Sequence, residues 1–146
     1  MSTHNNTPAA RDDRGEGLDA AYMDVADFQR AFGQPVADAP AALDRPTKRR
    51  RLAWMREELE ELEAAETIED QADAIIDLVY FAMGCLTEMG VPPEGVWQAV
   101  HKANMAKLWP DGVHVDAVGK VIKPAGWRNP EGDIRDYIAS LHRSRM

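Results

Sequence analysis

The chain has 146 residues, with 17 Lys and Arg against 25 Asp and Glu, and a net charge of −8. That length suits one domain around one core, and the acidity excludes a general nucleic-acid-binding role, which needs a basic face. Ten of the carboxylates fall between Glu57 and Asp77, a window without Lys or Arg, so the remainder of the chain sums to +2.

Residues 1–20 are polar and read as a disordered tail, and residues 21–146 as a single all-α domain. Val25, Phe28 and Phe32 recur at helical spacing and predict a helix from Met23 to Phe32, ended by Gly33 and Pro35. A Pro- and Ala-rich loop follows. Leu52, Met55, Leu59 and Leu62 then form one stripe of a helix over 47–66. A third helix over 68–89 is apolar almost all round, which places it in the middle of a bundle, and Gly90 stops it. The fourth opens at Pro92-Pro93-Glu94, with proline tolerated in the first turn and an acid at the positive helix end, and runs to Leu108. Residues 113–123 alternate β-branched and polar side chains and predict two short strands around a turn. Asp133 opens a last short helix with Ile134, Tyr137, Ile138 and Leu141 on its apolar face. The expected fold class is therefore an all-α bundle of four to five helices with a short C-terminal β-hairpin-like segment. The apolar third helix, in so short a chain, predicts a partner subunit over part of it.

Cys85 is the one cysteine, so no intrachain disulfide forms. The first residues lack a signal-peptide pattern, and the longest apolar stretch, Leu78 to Leu86, is too short to span a bilayer. A cytoplasmic protein without a membrane partner is the expectation.

The acidic window carries the chemistry. Glu57, Glu58 and Glu61 fall within one arc of the second helix, on the face that holds Trp54 one turn earlier. Asp70, Asp73 and Asp77 follow i, i+3, i+7 on the third, with Asp77 set between Ile76 and Leu78. A buried carboxylate without a partner is costly, and no cation lies nearby in sequence. A divalent ion would neutralise Asp77 and draw the glutamates of the second helix towards it. With no His at metal spacing, Mg²⁺ or Mn²⁺ fits better than Zn²⁺. The competing reading, a solvated Glu-rich face, suits Glu60, Glu63, Glu66 and Glu69. Downstream, His101, Asn104 and Lys107 step along one face of the fourth helix. The loop Lys123-Pro124-Ala125-Gly126-Trp127-Arg128 offers cations and an aromatic ring to a base and phosphates. Each of these also reads as a surface patch or a packing loop.

The Glu57-Glu58-Leu59-Glu60-Glu61 run, followed by an acidic-apolar helix ending Asp77-Leu78-Val79-Tyr80, resembles the all-α nucleotide pyrophosphatases. These are the MazG-type enzymes, dimeric dUTPases and phosphoribosyl-ATP pyrophosphatases. The chain is more similar to the phosphoribosyl-ATP-pyrophosphatase-like branch of bacteria and phages. That likeness runs from Val25 to Pro130 through Ala31-Phe32-Gly33-Gln34-Pro35, the run from His101 to Leu108, and Lys123 to Trp127.

The resemblance implies a helical bundle that assembles as a homodimer or a homotetramer. It also implies metal-dependent cleavage of a nucleoside triphosphate between the α- and β-phosphates. The metal ligands it implies are Glu58, Glu61 and Asp77. Ala74 replaces the family's third acid, with Asp73 (or Asp70 and Asp73) as the substitute, and Glu57 would orient or deprotonate water. Asn104, Lys107, Lys123 and Trp127 would hold the substrate, for which dGTP is one candidate and a damaged nucleotide another. The rival hypothesis is a non-enzymatic dimeric helical module with a structural metal site. A di-iron bundle lacks the Glu-x-x-His repeats it needs.

Overall fold

The computed structural model describes residues 17–144, which form five α-helices and no strand: α1 Leu18–Ala31, α2 Arg45–Ala64, α3 Ile68–Met89, α4 Pro93–Met105 and α5 Glu131–Arg143. α3 has the bounds its sequence predicts. The Thr67 hydroxyl accepts from the Asp70 amide at 3.1 Å, and Gly90 closes the helix in the left-handed region at φ 69°. α2 starts two residues before the expected Thr47, because Asp44 caps it by accepting from the Thr47 amide at 2.8 Å. α1 starts five residues early and takes in Leu18 to Ala20 from the predicted tail. The tail expected over residues 1–16 lies outside the described residues. α4 stops at Met105, and the chain tightens there into turns, Lys107 N donating to Asn104 O and Leu108 N to Met105 O.

α3 is the spine. α2 packs along it, α1 packs on it from another side, and α4 joins α1 to α5. The core is small: Tyr22, Val25 and Met83, with Leu18 and Leu86 packed against them. Two buried polar groups serve each other. Gln29 takes the Thr87 hydroxyl on its carbonyl and donates to Pro35 O at 2.8 Å, so neither is left unpaired. The loop after α1 is stitched to the end of α3 by Ala37 N to Thr87 O (3.0 Å) and Ala41 N to Met89 O (2.9 Å). α1 has no side-chain cap of its own. Instead Glu94 accepts from the Leu18 amide at 3.2 Å, while Asp19 accepts from the Glu94 amide at 3.0 Å, so α1 and α4 cap each other.

Two expectations change. The segment 113–123 forms a single antiparallel bridge, Val115 to Val121, rather than two strands. The Asp116 carboxylate accepts from the Val118 and Lys120 amides at 3.0 and 2.9 Å and makes the turn itself. Val113, Val115, Val118, Val121 and Ile122 all face solvent, so no third strand or helix supports a ladder. α3 is also not buried all round: Ile68, Ile75, Ile76 and Val79 are exposed within the one chain. Among the described residues no single helix is long and apolar enough to cross a membrane.

Candidate metal centre

Glu58 and Glu61 lie one turn apart on α2, and Asp77 faces them from α3. One carboxylate oxygen from each comes within 4.8 Å of the others. Glu58 is 9% exposed, and its Oε2 is buried with no hydrogen-bond partner among the described residues. Its carboxyl is held above the usual range, first by desolvation and then by the Glu61 and Asp77 carboxylates beside it. An orphaned oxygen among three converging acids fits a hard divalent cation, which supplies the missing positive charge and takes oxygen ligands. The donor set contains neither His nor Cys.

The structure sorts the remaining acids. Glu57 is exposed beside Glu58 and one turn from Glu61. Asp73 is exposed and stands outside the three-acid cluster, one turn before Asp77. The next residue, Ala74, is 3% exposed and brings no oxygen to the interior. Asp70 is exposed in the first turn of α3.

Asn104, Lys107, Lys123 and Trp127 do come together, at the C-terminal end of α4. Lys107 Nζ donates to the Asn104 carbonyl at 2.8 Å. The ammonium groups of Lys107 and Lys123 stand 5.3 and 4.6 Å from the centre of the Trp127 ring. The indole is fixed by its Nε1 donating to Ala103 O at 2.7 Å. This cationic group belongs to the α4–α5 side of the chain, the acids to the α2–α3 pair. His101 is exposed and does not join it.

Arg51 and Glu88 escape a sequence reading. Arg51 ends the run Lys48-Arg49-Arg50-Arg51, which looks like a solvated basic turn, yet it is 3% exposed. Its Nε donates to Glu88 at 2.6 Å, and Arg50 reaches the other Glu88 oxygen at 2.7 Å. The guanidinium lies 5.1 Å from the Trp54 ring centre, and Trp54 packs on Phe81 at 5.5 Å. Gly84 makes the room: a Cβ there would collide with Nη1. The signal was the glycine within α3, which means nothing until the two helices are paired.

No curated protein matches the chain. The family model described as phosphoribosyl-ATP pyrophosphohydrolase matches residues 25–104. The matched span contains the three converging acids and Asn104, and it stops before Lys107, Lys123 and Trp127. That family belongs to the MazG-like nucleotide pyrophosphatase superfamily and is metal-dependent. With more than half of its length matched and its acids gathered as a metal site requires, the chain belongs to the phosphoribosyl-ATP pyrophosphohydrolase family, hydrolases acting on phosphoric anhydride bonds.

Proposed function

We propose that the protein is a nucleoside triphosphate diphosphatase using Mg²⁺ or Mn²⁺, which cleaves a (d)NTP such as dGTP into the monophosphate and pyrophosphate. The observation that carries the reading is the convergence of Glu58, Glu61 and Asp77 around an unpartnered carboxylate oxygen. Glu58, Glu61 and Asp77 would hold a divalent cation, which would supply Lewis acidity and positive charge between the carboxylates and a phosphate chain, two anionic partners that otherwise repel. Glu57, adjacent and solvent-accessible, takes the proton from the attacking water. Asp73 stands one turn away as a further carboxylate for a second ion. Lys107 and Lys123 offset charge on the leaving pyrophosphate, and Trp127 fixes their positions.

The working form is a homodimer or a pair of dimers. The exposed row Ile68, Ile75 and Val79 along α3 supports this, since such a row is normally covered. The test is pyrophosphate release from a panel of common ribo- and deoxyribonucleotides with and without Mg²⁺ or Mn²⁺. Metal-dependent release is expected, and Glu58→Gln abolishes it while the helical circular dichroism stays. Silence across the panel refutes the reading, and wild-type turnover in the variant places the site elsewhere.

A further inference from the structure

Lys107 and Lys123 are distant in the chain, yet both ammonium groups stand over one indole, 5.3 and 4.6 Å from the centre of the Trp127 ring. Two like charges repel, and the contact of an exposed ammonium with a ring is weak, so a further contact must bring them together. The segment between them supplies it. Trp109 follows Lys107 by two residues, and Ile122 comes directly before Lys123. Trp109 Nε1 donates to the Ile122 carbonyl at 2.9 Å. This bond closes the loop 109–122, and the two lysines stand just outside its ends.

The indole that makes the bond is itself held. The chain reverses at Pro110 and Asp111, where Trp109 and Gly112 exchange backbone hydrogen bonds of 3.2 and 3.0 Å. The reversal lays His114 on Trp109 with ring centres 4.3 Å apart, and His114 Nε2 pairs with Asp111 at 2.8 Å. The His114 carbonyl accepts from the Ile122 amide at 2.8 Å. Ile122 is thus fixed at its N–H by the backbone of His114 and at its C=O by the side chain of Trp109. Apolar packing adds little, since Val113, Val115, Val118, Val121 and Ile122 are all exposed. The closure rests on hydrogen bonds and one stacked pair rather than on a core.

Resting on the proposed role of Lys107 and Lys123 towards the leaving pyrophosphate, we propose that Trp109 is a positioning residue, which closes the loop on Ile122 and so holds both ammonium groups where one pyrophosphate engages them together. Trp109 acts through the lysines and not on the substrate. Without its Nε1–H the loop ends part and the ammonium groups separate. A pair that grips one anion then becomes two independent charges.

The test uses inorganic pyrophosphate as the probe and the full chain without divalent cations, so that the anion reports on the lysines and not on a metal held by the acids. Affinity is measured by calorimetry for the wild type, Trp109→Phe, the Lys107→Ala, Lys123→Ala double variant and the triple variant. Phenylalanine keeps a ring under His114 and removes only the donor. The expected loss in Trp109→Phe is about three- to tenfold, the weight of one hydrogen bond. The triple variant binds no more weakly than the double variant, because Trp109 has no other route to the anion. His114→Ala, which unstacks the indole, loses affinity in the same direction. Wild-type affinity in both Trp109→Phe and His114→Ala overturns the inference. An equal loss from Trp109→Phe with and without the lysines also overturns it, by showing a merely structural role. Absent binding to the wild type overturns it too, and wild-type affinity in the double variant does so while removing the lysines from the proposed function. The expected cycle without hydrolysis of any nucleotide upholds the positioning role and overturns the enzymatic reading instead.

Discussion

Glu58 is a carboxylate that the fold pushes towards its protonated form. Desolvation and two neighbouring acids raise its pKa above the unfolded value. The folded state therefore binds the proton more tightly. The stability of the metal-free protein falls as pH rises from the unfolded value, near 4.3, through the raised folded one, and levels off above it. A cation reverses the sign by favouring the ionised form. The expected outcome in thermal denaturation at pH 7 is a higher Tm on adding Mg²⁺ or Mn²⁺, by roughly 5–10 °C near a hundredfold excess over Kd. That increment shrinks as pH falls through the Glu58 titration. Glu58→Gln raises the metal-free Tm and removes the metal response. A response unchanged in that variant would show that cations bind elsewhere. Asp77 was legible because an acid on an apolar helix stands out against its pattern, and Glu58 and Glu61 because they share the Trp54 face of α2 and match the acid pair of the family the chain resembles. The place of Asp73 was not, because a 100° step round a helix decides whether a side chain faces its neighbour, and sequence spacing alone leaves the pairing angle of α2 and α3 open.

At the scale of elements, most of the fold was written locally. Thr67 and Gly90 bracket α3, and Asp44 with Pro46 opens α2. Where the reading failed, a local pattern lacked its tertiary partner. Residues 113–123 have the β-branched composition of strands but no sheet to join, and the Asp116 side chain closes the turn without one. Arg51 carries no such local pattern, and its burial is decided by Gly84 on another helix. This contact makes a prediction about packing. Gly84→Ala would ordinarily stabilise a helix by about 0.8–1 kcal/mol. Here the added methyl collides with the guanidinium, and overpacking of that kind costs about 1–3 kcal/mol. A lower urea midpoint is expected, and a higher one would mean that Arg51 moves aside freely.

The whole molecule exposes too much of its own spine. Ile68, Ile75 and Val79 fall on one stripe of α3 with Ala72 and Ala82, and all five are exposed. In the proposed dimer a second copy covers this stripe. Light scattering at micromolar concentration should give a dimer or tetramer for the wild type and a monomer for the Ile75→Glu, Val79→Glu double variant. A monomeric wild type would remove the dimer from the proposal.

The mutual caps of α1 and α4 carry a consequence for how this chain closes up. Leu18 and Glu94 are 76 positions apart, so the first turn of α1 finds its acceptor only after α2 and α3 have laid down the path back to it. A long-range closure of this kind comes late in folding, because the loop entropy is lost before the contact rewards it. The two positive helix ends meet there, each facing a carboxylate carried by the other, and the carboxylates act as a clasp. Opening the clasp loosens the first turn of α1, while the packing of Tyr22 and Val25 on Met83 and the bond between Gln29 and Thr87 still hold the rest of the helix to α3.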